Sequence, residues 1–133
     1  MTDIGTLELI PAAEIRAVWP DVRDRIAGIA EACGEPWIAD DVFHEILVGN
    51  AYLWGTADLG CFVVLMVEAT AYSRDLRVWI ASEETDARAA EYVPQLQAIA
   101  SEAQCNRVIF DSPRRWERAL PGVTVRYSYS FET

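Results

Sequence analysis

Two different strand connections follow one another in the middle of this chain, and together they restrict its fold more than any other feature. Residues 51–56 and 61–68 are rich in apolar and aromatic side chains, and the four residues 57–60 between them predict an antiparallel hairpin. Residues 76–81 and 107–110 predict further strands with a helical pattern between them, and such a crossover joins parallel strands. The sequence therefore predicts an α/β (α+β) protein with a mixed, mostly antiparallel sheet flanked by helices on both faces.

Apolar residues at helical spacing predict three longer helices. The first covers 15–33, and Pro20 should kink it or restart it, because proline lacks the amide hydrogen that a helix needs. The second begins at Asp40 or Asp41, since either side chain can cap the free amides of a helix. The third is the crossover helix, and Pro94 near its start predicts a separate first turn.

The two ends of the chain complete the order of elements. A short strand is predicted at 7–10, and a short helix at 114–120. Residues 123–131 alternate strictly and predict a last strand. Its apolar side chains on one side are Val123, Val125, Tyr127, Tyr129 and Phe131. The predicted order is β-α-α-β-β-β-α-β-α-β, in a single domain over 1–133.

The charge of the chain argues against two classes of partner. The net charge is −10, from 21 acidic residues against 11 arginines, with no lysine. Because phosphate affinity derives mainly from cations, we expect no binding of nucleic acid or of anionic membranes. Residues 1–70 hold twelve acids and only three arginines. This half forms either a solvated acidic face or a surface for a basic protein, as in an acidic inhibitor.

Other features bear on location and metal binding. The longest near-apolar run, 61–67, is too short to span a bilayer, and the first residues do not resemble a signal peptide, so we expect a protein that is not secreted. Three widely spaced cysteines argue against a disulfide framework and favour the cytoplasm. His44 is the single histidine, and the sequence predicts no metal site.

The predicted element order resembles that of the GNAT (Gcn5-related N-acetyltransferase) superfamily over nearly the whole chain. Short stretches are also similar to phage and prophage GNAT-like proteins. These stretches are Val18-Trp19-Pro20, the run from Asp41-Val42 to Leu47, Gly49-Asn50-Ala51-Tyr52-Leu53-Trp54, Tyr92-Val93-Pro94-Gln95-Leu96, Cys105-Asn106-Arg107-Val108 and Pro113-Arg114-Arg115-Trp116-Glu117-Arg118. The resemblance implies an acyl-CoA N-acyltransferase fold, acetyl-CoA as the cofactor and a cytoplasmic or virion-associated protein.

The loop that holds the cofactor pyrophosphate in this superfamily departs from the family pattern here. The family has Gln/Arg-x-x-Gly-x-Gly/Ala, whose backbone amides bind the phosphates. The corresponding stretch, 81–89, has no glycine and three acids, Glu83, Glu84 and Asp86, with Arg88 as the local counter-charge. These carboxylates would repel a pyrophosphate and stabilise an empty helix N-terminus. The loop therefore favours a protein without a bound cofactor.

A second cofactor contact of the superfamily is made by strand backbone, so the side chains of this sequence do not exclude it. In the superfamily the pantetheine arm lies in a splay between the fourth and fifth strands. Here the resemblance assigns this role to the fourth-strand residues Val78, Ile80 and Ala81. Arg88, and Arg114 and Arg115 on the predicted short helix, are candidate cofactor contacts, although surface arginines are more often only solvent-facing.

The catalytic groups are less clear than the fold. The family often uses a carboxylate as base and a tyrosine of the last helix as acid, but the predicted helix 114–120 has no tyrosine. Glu68, at the end of a strand, is the candidate base, or only a surface acid. Tyr127 and Tyr129 are predicted to lie in the core or on a sheet face. Trp37 is predicted to be partly exposed beside the acceptor cleft or at an interface.

Two hypotheses follow from these patterns. The first is a phage-type or prophage-type GNAT-fold protein that acts as a binding or virion-associated component, with weak or no acetyltransferase activity. The second is an active acetyl-CoA-dependent N-acetyltransferase that modifies an amine. For the first, the expected partner is a phage or host protein or a second copy of the chain, in a homodimer formed through a strand edge or the Trp37 region.

Overall fold

A five-stranded sheet forms the centre of the protein. The computed structural model describes residues 5–112, 116, 118–127 and 129–131. The strands lie in chain order: β1 (Glu8–Ile10), β2 (Tyr52–Gly55), β3 (Phe62–Ala69), β4 (Arg74–Ala81) and β5 (Arg107–Ile109). The first four pair antiparallel, and β5 pairs parallel to β4. The predicted mixed, mostly antiparallel sheet is confirmed.

Helices cover both faces of this sheet, as the sequence predicts. They are α1 (Ile15–Cys33), α2 (Ala39–Leu47), α3 (Glu83–Ala87) and α4 (Ala89–Glu102). Successive residues of β3 point to opposite faces, so Val64 packs with α1 and α2 while Val63 packs with α4. This alternation divides the core into two clusters, one on each face. In the part of the chain that the structure describes, no helix is both long and apolar enough to cross a membrane.

The boundaries of two helices differ from the prediction. Helix α1 continues through Pro20 as one helix and does not restart there. Helix α2 begins earlier than predicted, with Ile38 as its N-cap residue. Asp41 still serves the helix N-terminus, because its carboxylate accepts the amide hydrogen of Ile38 at 2.9 Å from the third helical position. Asp41 was thus correctly predicted to cap α2, but it does so from the first turn of the helix and not from the N-cap position.

The end of the chain departs most from the prediction. Residues 123–127 and 129–131 belong to no strand, and Tyr127 and Tyr129 are exposed, so their prediction as core or sheet-face residues is wrong. Strict alternation is only half of what a strand requires, since a strand also needs a neighbouring strand to pair with. Of the predicted helix at 114–120, residues 114, 115 and 117 lie outside the described residues, and the described residues 116 and 118–120 are not helical, with 118–119 in a turn.

Candidate functional site

Strand β4 carries a bulge that redirects its second half. The pairing with β3 runs from Leu65 opposite Val78 to Val64 opposite Ile80, so Trp79 is an extra residue on β4. On the near side of the bulge, Val78 packs in the α4 cluster. On the far side, Ile80 packs with α1 and α2. In a regular strand, these two residues would point to the same face, because they are two positions apart. A bulge re-aims side chains in this way, and here it gives the two halves of β4 different surroundings.

The pairing between β4 and β5 ends beside this bulge. They pair over three positions, the last of which joins Arg77 to Ile109, and β5 ends there. Strand β4 continues for four more residues, 78–81, with no strand on that side among the described residues. Among the described residues, the backbone groups of this stretch that face away from β3 therefore have no strand to pair with. We call residues 78–81 and the side of β4 without a strand the open end of the strand pair.

The open end contains the three predicted pantetheine contacts, Val78, Ile80 and Ala81. The geometry suits their predicted role, because no described strand pairs with this side of β4, and the amides of a pantetheine arm can pair with strand backbone. Their contact with a cofactor stays a prediction.

The opposite end of the strand pair is held by side chains. Arg107 of β5 donates two hydrogen bonds to Asp75 of β4, at 2.9 and 2.6 Å, and Asp75 is buried. This guanidinium holds the pKa of the Asp75 carboxyl below its usual value. Nearby, the Arg74 amide donates to the Asn106 side chain at 3.1 Å, and the Asn106 amide donates back to the Arg74 carbonyl at 2.6 Å. We call this the closed end.

Glu68, the candidate base, lies at the closed end and not at the open one. It pairs in register with Asp75, three residues before the open end begins, which corresponds to roughly 10 Å along a strand. Both of its carboxylate oxygens accept hydrogen bonds from Arg77, whose guanidinium also binds Asp111 at 2.8 Å. The hydrogen bond that Arg77 donates to Glu68 and the charge of Asp111 raise the pKa of Arg77. The structure thus places Glu68 in an ion-pair network away from the opening, and its role as base stays a prediction.

The stretch after β4, where the resemblance expects a phosphate loop, is closed by a buried serine. The hydroxyl of Ser82 accepts the amide hydrogen of Phe62 at 3.1 Å and that of Thr85 at 3.4 Å. It lies 2.8 Å from the Thr85 hydroxyl, which in turn donates to the Phe62 carbonyl at 3.3 Å. Ser82 therefore caps α3 and fastens it to β3.

The acids of this stretch surround that capped helix. Glu83, Glu84 and Asp86 are exposed in the first turn of α3, which has only five residues. Arg88 follows α3 and binds Glu91 at 2.8 Å, and this hydrogen bond raises the pKa of Arg88. Two small cavities flank α3, of about 140 and 210 Å³. Both are smaller than the usual volume of a small-molecule site, roughly 300 Å³ or more.

The α1–α2 loop meets the open end through two aromatic rings. Trp37, in that loop, is half-buried, and its ring meets the edge of Trp79 at a centroid distance of 5.4 Å. Trp79 is the bulge residue, so the bulge itself brings the two rings together. Sequence patterns missed this pair, because a bulge within an apolar run leaves no break in the pattern. Trp37 thus lies beside the opening, and its role toward an acceptor stays a prediction.

The remaining reactive side chains are a histidine and three cysteines. His44 is exposed on α2. The cysteines Cys33, Cys61 and Cys105 form no disulfide. Over the described ranges, no three histidine, cysteine or acidic side chains are grouped so that they could hold a metal ion. Arg114 and Arg115, the candidate phosphate contacts, fall outside the described residues.

A mixed sheet with a bulged fourth strand, a splay toward the fifth strand and helices on both faces defines the GNAT acetyltransferase fold, and this chain has that fold. Among solved structures, a ribosomal-protein-alanine N-acetyltransferase from Brucella melitensis biovar Abortus 2308 is similar, with a TM-score of 0.65 and 16% identity. The match covers 96% of this chain and 99% of the other.

Two further solved structures share the fold. A probable acetyltransferase matches with a TM-score of 0.64 and 11% identity, over 96% of this chain and 95% of its own. An aminoglycoside acetyltransferase from an uncultured soil metagenomic sample, solved with sisomicin, matches with a TM-score of 0.60 and 8% identity, over 96% of both chains. Neither a protein-family model nor a curated protein sequence matches the chain.

Proposed function

We propose that this protein is a GNAT-fold binding protein without a working pyrophosphate site, and that it acts as a phage or prophage component in the cytoplasm or the virion, with weak or no acetyltransferase activity. The observation that carries the proposal is the capped, acidic α3. The Ser82 hydroxyl already accepts one of the amides that a phosphate would need. Local sequence similarity to phage GNAT-like proteins supports the setting.

Electrostatics gives the reason why this stretch disfavours coenzyme A. Three carboxylates in the first turn of α3 place negative charge where a pyrophosphate would bring more. Arg88, the nearest compensating charge in the sequence, is engaged by Glu91. Salt screens exposed charges of this kind, so the repulsion should be largest at low ionic strength. A working pyrophosphate site would need hydrogen-bond donors at the start of α3, whereas the side chains there are carboxylates, which accept hydrogen bonds.

One observation favours a second function, an active acetyl-CoA-dependent N-acetyltransferase. On the β5 side, the backbone of 78–81 pairs with no described strand, and the Trp37–Trp79 pair forms an apolar wall beside it. An enzyme of this kind would hold coenzyme A mainly by its pantetheine arm. The named activities of two similar structures, on a ribosomal protein alanine and on an aminoglycoside, suggest an amine as acceptor.

Calorimetric titration with acetyl-CoA and with pantetheine separates the two functions. The binding-protein proposal expects no heat and no thermal stabilisation with acetyl-CoA at millimolar concentration, at low or moderate salt. Micromolar binding of acetyl-CoA, followed by transfer to an amine, would establish the second function instead. Binding of pantetheine alone, with weaker binding of acetyl-CoA, would show that the open end accepts the arm while α3 rejects the phosphates.

A charge variant tests the cause. The triple variant Glu83→Gln, Glu84→Gln, Asp86→Asn removes the acids of α3, and we expect it to bind coenzyme A at least about tenfold more tightly than the wild type at low salt. The matched control, Glu8→Gln, Glu14→Gln, Glu31→Gln, makes the same change of net charge with exposed acids on other elements. Equal effects of both variants would show that net charge, and not the α3 site, decides the affinity.

A further inference from the structure

The described residues 123–127 and 129–131, which we call the terminal segment, expose an unusual amount of apolar surface. Val125 is 47% exposed, Tyr127 79%, Tyr129 88% and Phe131 100%. The chain before the segment is well anchored, because Trp116 and Leu120 are buried. The exposed surface thus begins where a packed part of the chain ends. Contiguous apolar side chains exposed in this way mark an interaction surface.

The two tyrosines of the terminal segment are spaced as they would be in a strand. The rings of Tyr127 and Tyr129 are nearly parallel, with centroids 6.5 Å apart. Two residues of an extended chain rise by about 6.6 Å, which is the spacing of successive side chains on one face of a strand. What the segment lacks, among the described residues, is a partner strand.

The sequence of the segment is complementary to itself in the antiparallel direction. If two copies pair about Tyr127, each Tyr127 faces the other, Val125 faces Tyr129, and Val123 faces Phe131. Each of these pairs is aromatic with aromatic or aromatic with β-branched, which are the favourable cross-strand combinations. On the other side of the backbone, Thr124 then faces Ser130. A two-fold axis through Tyr127 thus places every apolar side chain of the segment opposite another.

Charge and area also favour a second copy as the partner. The run 118–131 contains two arginines and no acid, in a chain of net charge −10, so two copies repel each other least through this run. Two segments bring six aromatic side chains together, and each can bury roughly 150 Å². The total, about 900 Å² from aromatic rings alone, approaches the lower limit of specific interfaces, about 1,200 Å².

We propose that two copies of this chain form a two-fold symmetric dimer through antiparallel pairing of their terminal segments, centred on Tyr127. The pairing supplies each segment with the partner strand that it lacks and brings its aromatic side chains into contact with those of the other copy. An interface of this size predicts a dimer that dissociates in the micromolar range. The inference does not rest on the proposed function, because the dimer forms without cofactor.

Sedimentation of the full chain over about 1–100 µM tests the proposal. We expect a reversible dimer for the wild type. Tyr127→Asp and Tyr127→Arg should each be monomeric, since the symmetry places like charges opposite each other. An equimolar mixture of the two variants should restore dimers, because the charges are then opposite. Tyr72→Asp is the matched control, a tyrosine that is 99% exposed in the β3–β4 turn, and it should dimerise as the wild type does.

Three results would overturn the proposal: a wild type that stays monomeric at 100 µM, a Tyr127→Asp variant that still dimerises, or two variants that remain monomeric when mixed. Restoration in the mixture also shows that both variants are folded. Titration with acetyl-CoA in the same samples reports on the cofactor separately, so failure of the dimer and failure of the proposed function can be distinguished.

Discussion

The closed and open ends of the β4–β5 pair lie side by side on the same two strands and differ in almost every respect. At the closed end, Asp75 and Arg107 join the strands through an ion pair whose carboxylate is buried, and the neighbouring Leu76 is buried too. At the open end, residues 78–81 pair with β3 on one side but have no strand on the β5 side among the described residues. The difference teaches that the pairing of β4 with β5 is strengthened by side chains at one end and stops at the other.

The largest effect should come from removing core volume at the closed end. Leu76 is 2% exposed and Val78, two residues on, is half-buried against the same cluster. Leu76→Ala should lower the free energy of unfolding by about 2–4 kcal/mol, because it leaves a cavity, whereas Val78→Ala should cost about 1 kcal/mol or less. Urea unfolding curves measure both. Equal losses would mean that the two ends are packed alike.

Alkaline pH should weaken the helix that backs the closed end. Tyr92 of α4 packs with Leu76, and burial, with a hydrogen bond to Cys61, raises the pKa of Tyr92 to about 12 from 10.0. The folded state favours the neutral phenol, so this contribution is complete below pH 10 and is lost as the pH rises toward 12. The loss should reach up to about 2 kcal/mol.

Denaturant unfolding at pH 8 and pH 11 tests this expectation. The stability of the wild type should fall relative to that of Tyr92→Phe between the two pH values, because the variant has no phenol to ionise. Parallel curves for the two proteins would show that the Tyr92 hydroxyl is not isolated from water.

Acid should release the ion pair of the closed end. Arg107 lowers the pKa of Asp75 below 3.8, so the stabilisation is present above this value and is lost as the pH falls through the lower pKa of the folded state. Asp75→Asn should therefore destabilise the protein at pH 7 and progressively less below pH 4. The effect should be smaller than that of Leu76→Ala, since the Arg107 side chain is 34% exposed.

Thermal unfolding from pH 2.5 to 7 provides the measurement. Glu68→Gln is a useful control, because its carboxylate is far more exposed than that of Asp75. A difference between wild type and Asp75→Asn that does not change with pH would assign the loss to packing and not to charge.

The smallest effect should arise at the open end. Trp37→Leu removes the edge contact with Trp79 and should cost about 0.5–1.5 kcal/mol beyond the buried area that is lost. The tryptophan fluorescence of the variant should differ clearly from that of the wild type, because one of two neighbouring indoles is removed. A double-mutant cycle with Trp79→Leu isolates the pair, and a coupling energy near zero would show that the rings only touch.

Much of the fold could be predicted from the sequence because its signals are local. The hairpin between β2 and β3 and the crossover from β4 to β5 follow from strand patterns and connection lengths. The bulge could not be predicted, since the run around Trp79 is apolar on both faces and alternation carries no information there. The last strand, predicted over the terminal segment, was wrong for the opposite reason. The alternation of its side chains is clear, but a strand also needs a neighbouring strand, which the sequence pattern does not reveal.

The candidate site was predicted less well than the fold. The acidic stretch of α3 was visible, but the Ser82 cap was not, because its partners come from β3. Glu68 was chosen for its position at a strand end, and the strand pattern alone does not reveal that its register with Asp75 places it at the closed end. The ion pair of Arg88 with Glu91 at three residues' spacing was available from helix geometry.

The bulge at Trp79 has a consequence for how this protein can change over generations. A substitution before it alters the packing that every descendant needs in order to fold. A substitution at Ile80, after it, alters the other core cluster, the one formed with α1 and α2. Selection on the two halves of this one strand therefore acts on two different packing environments.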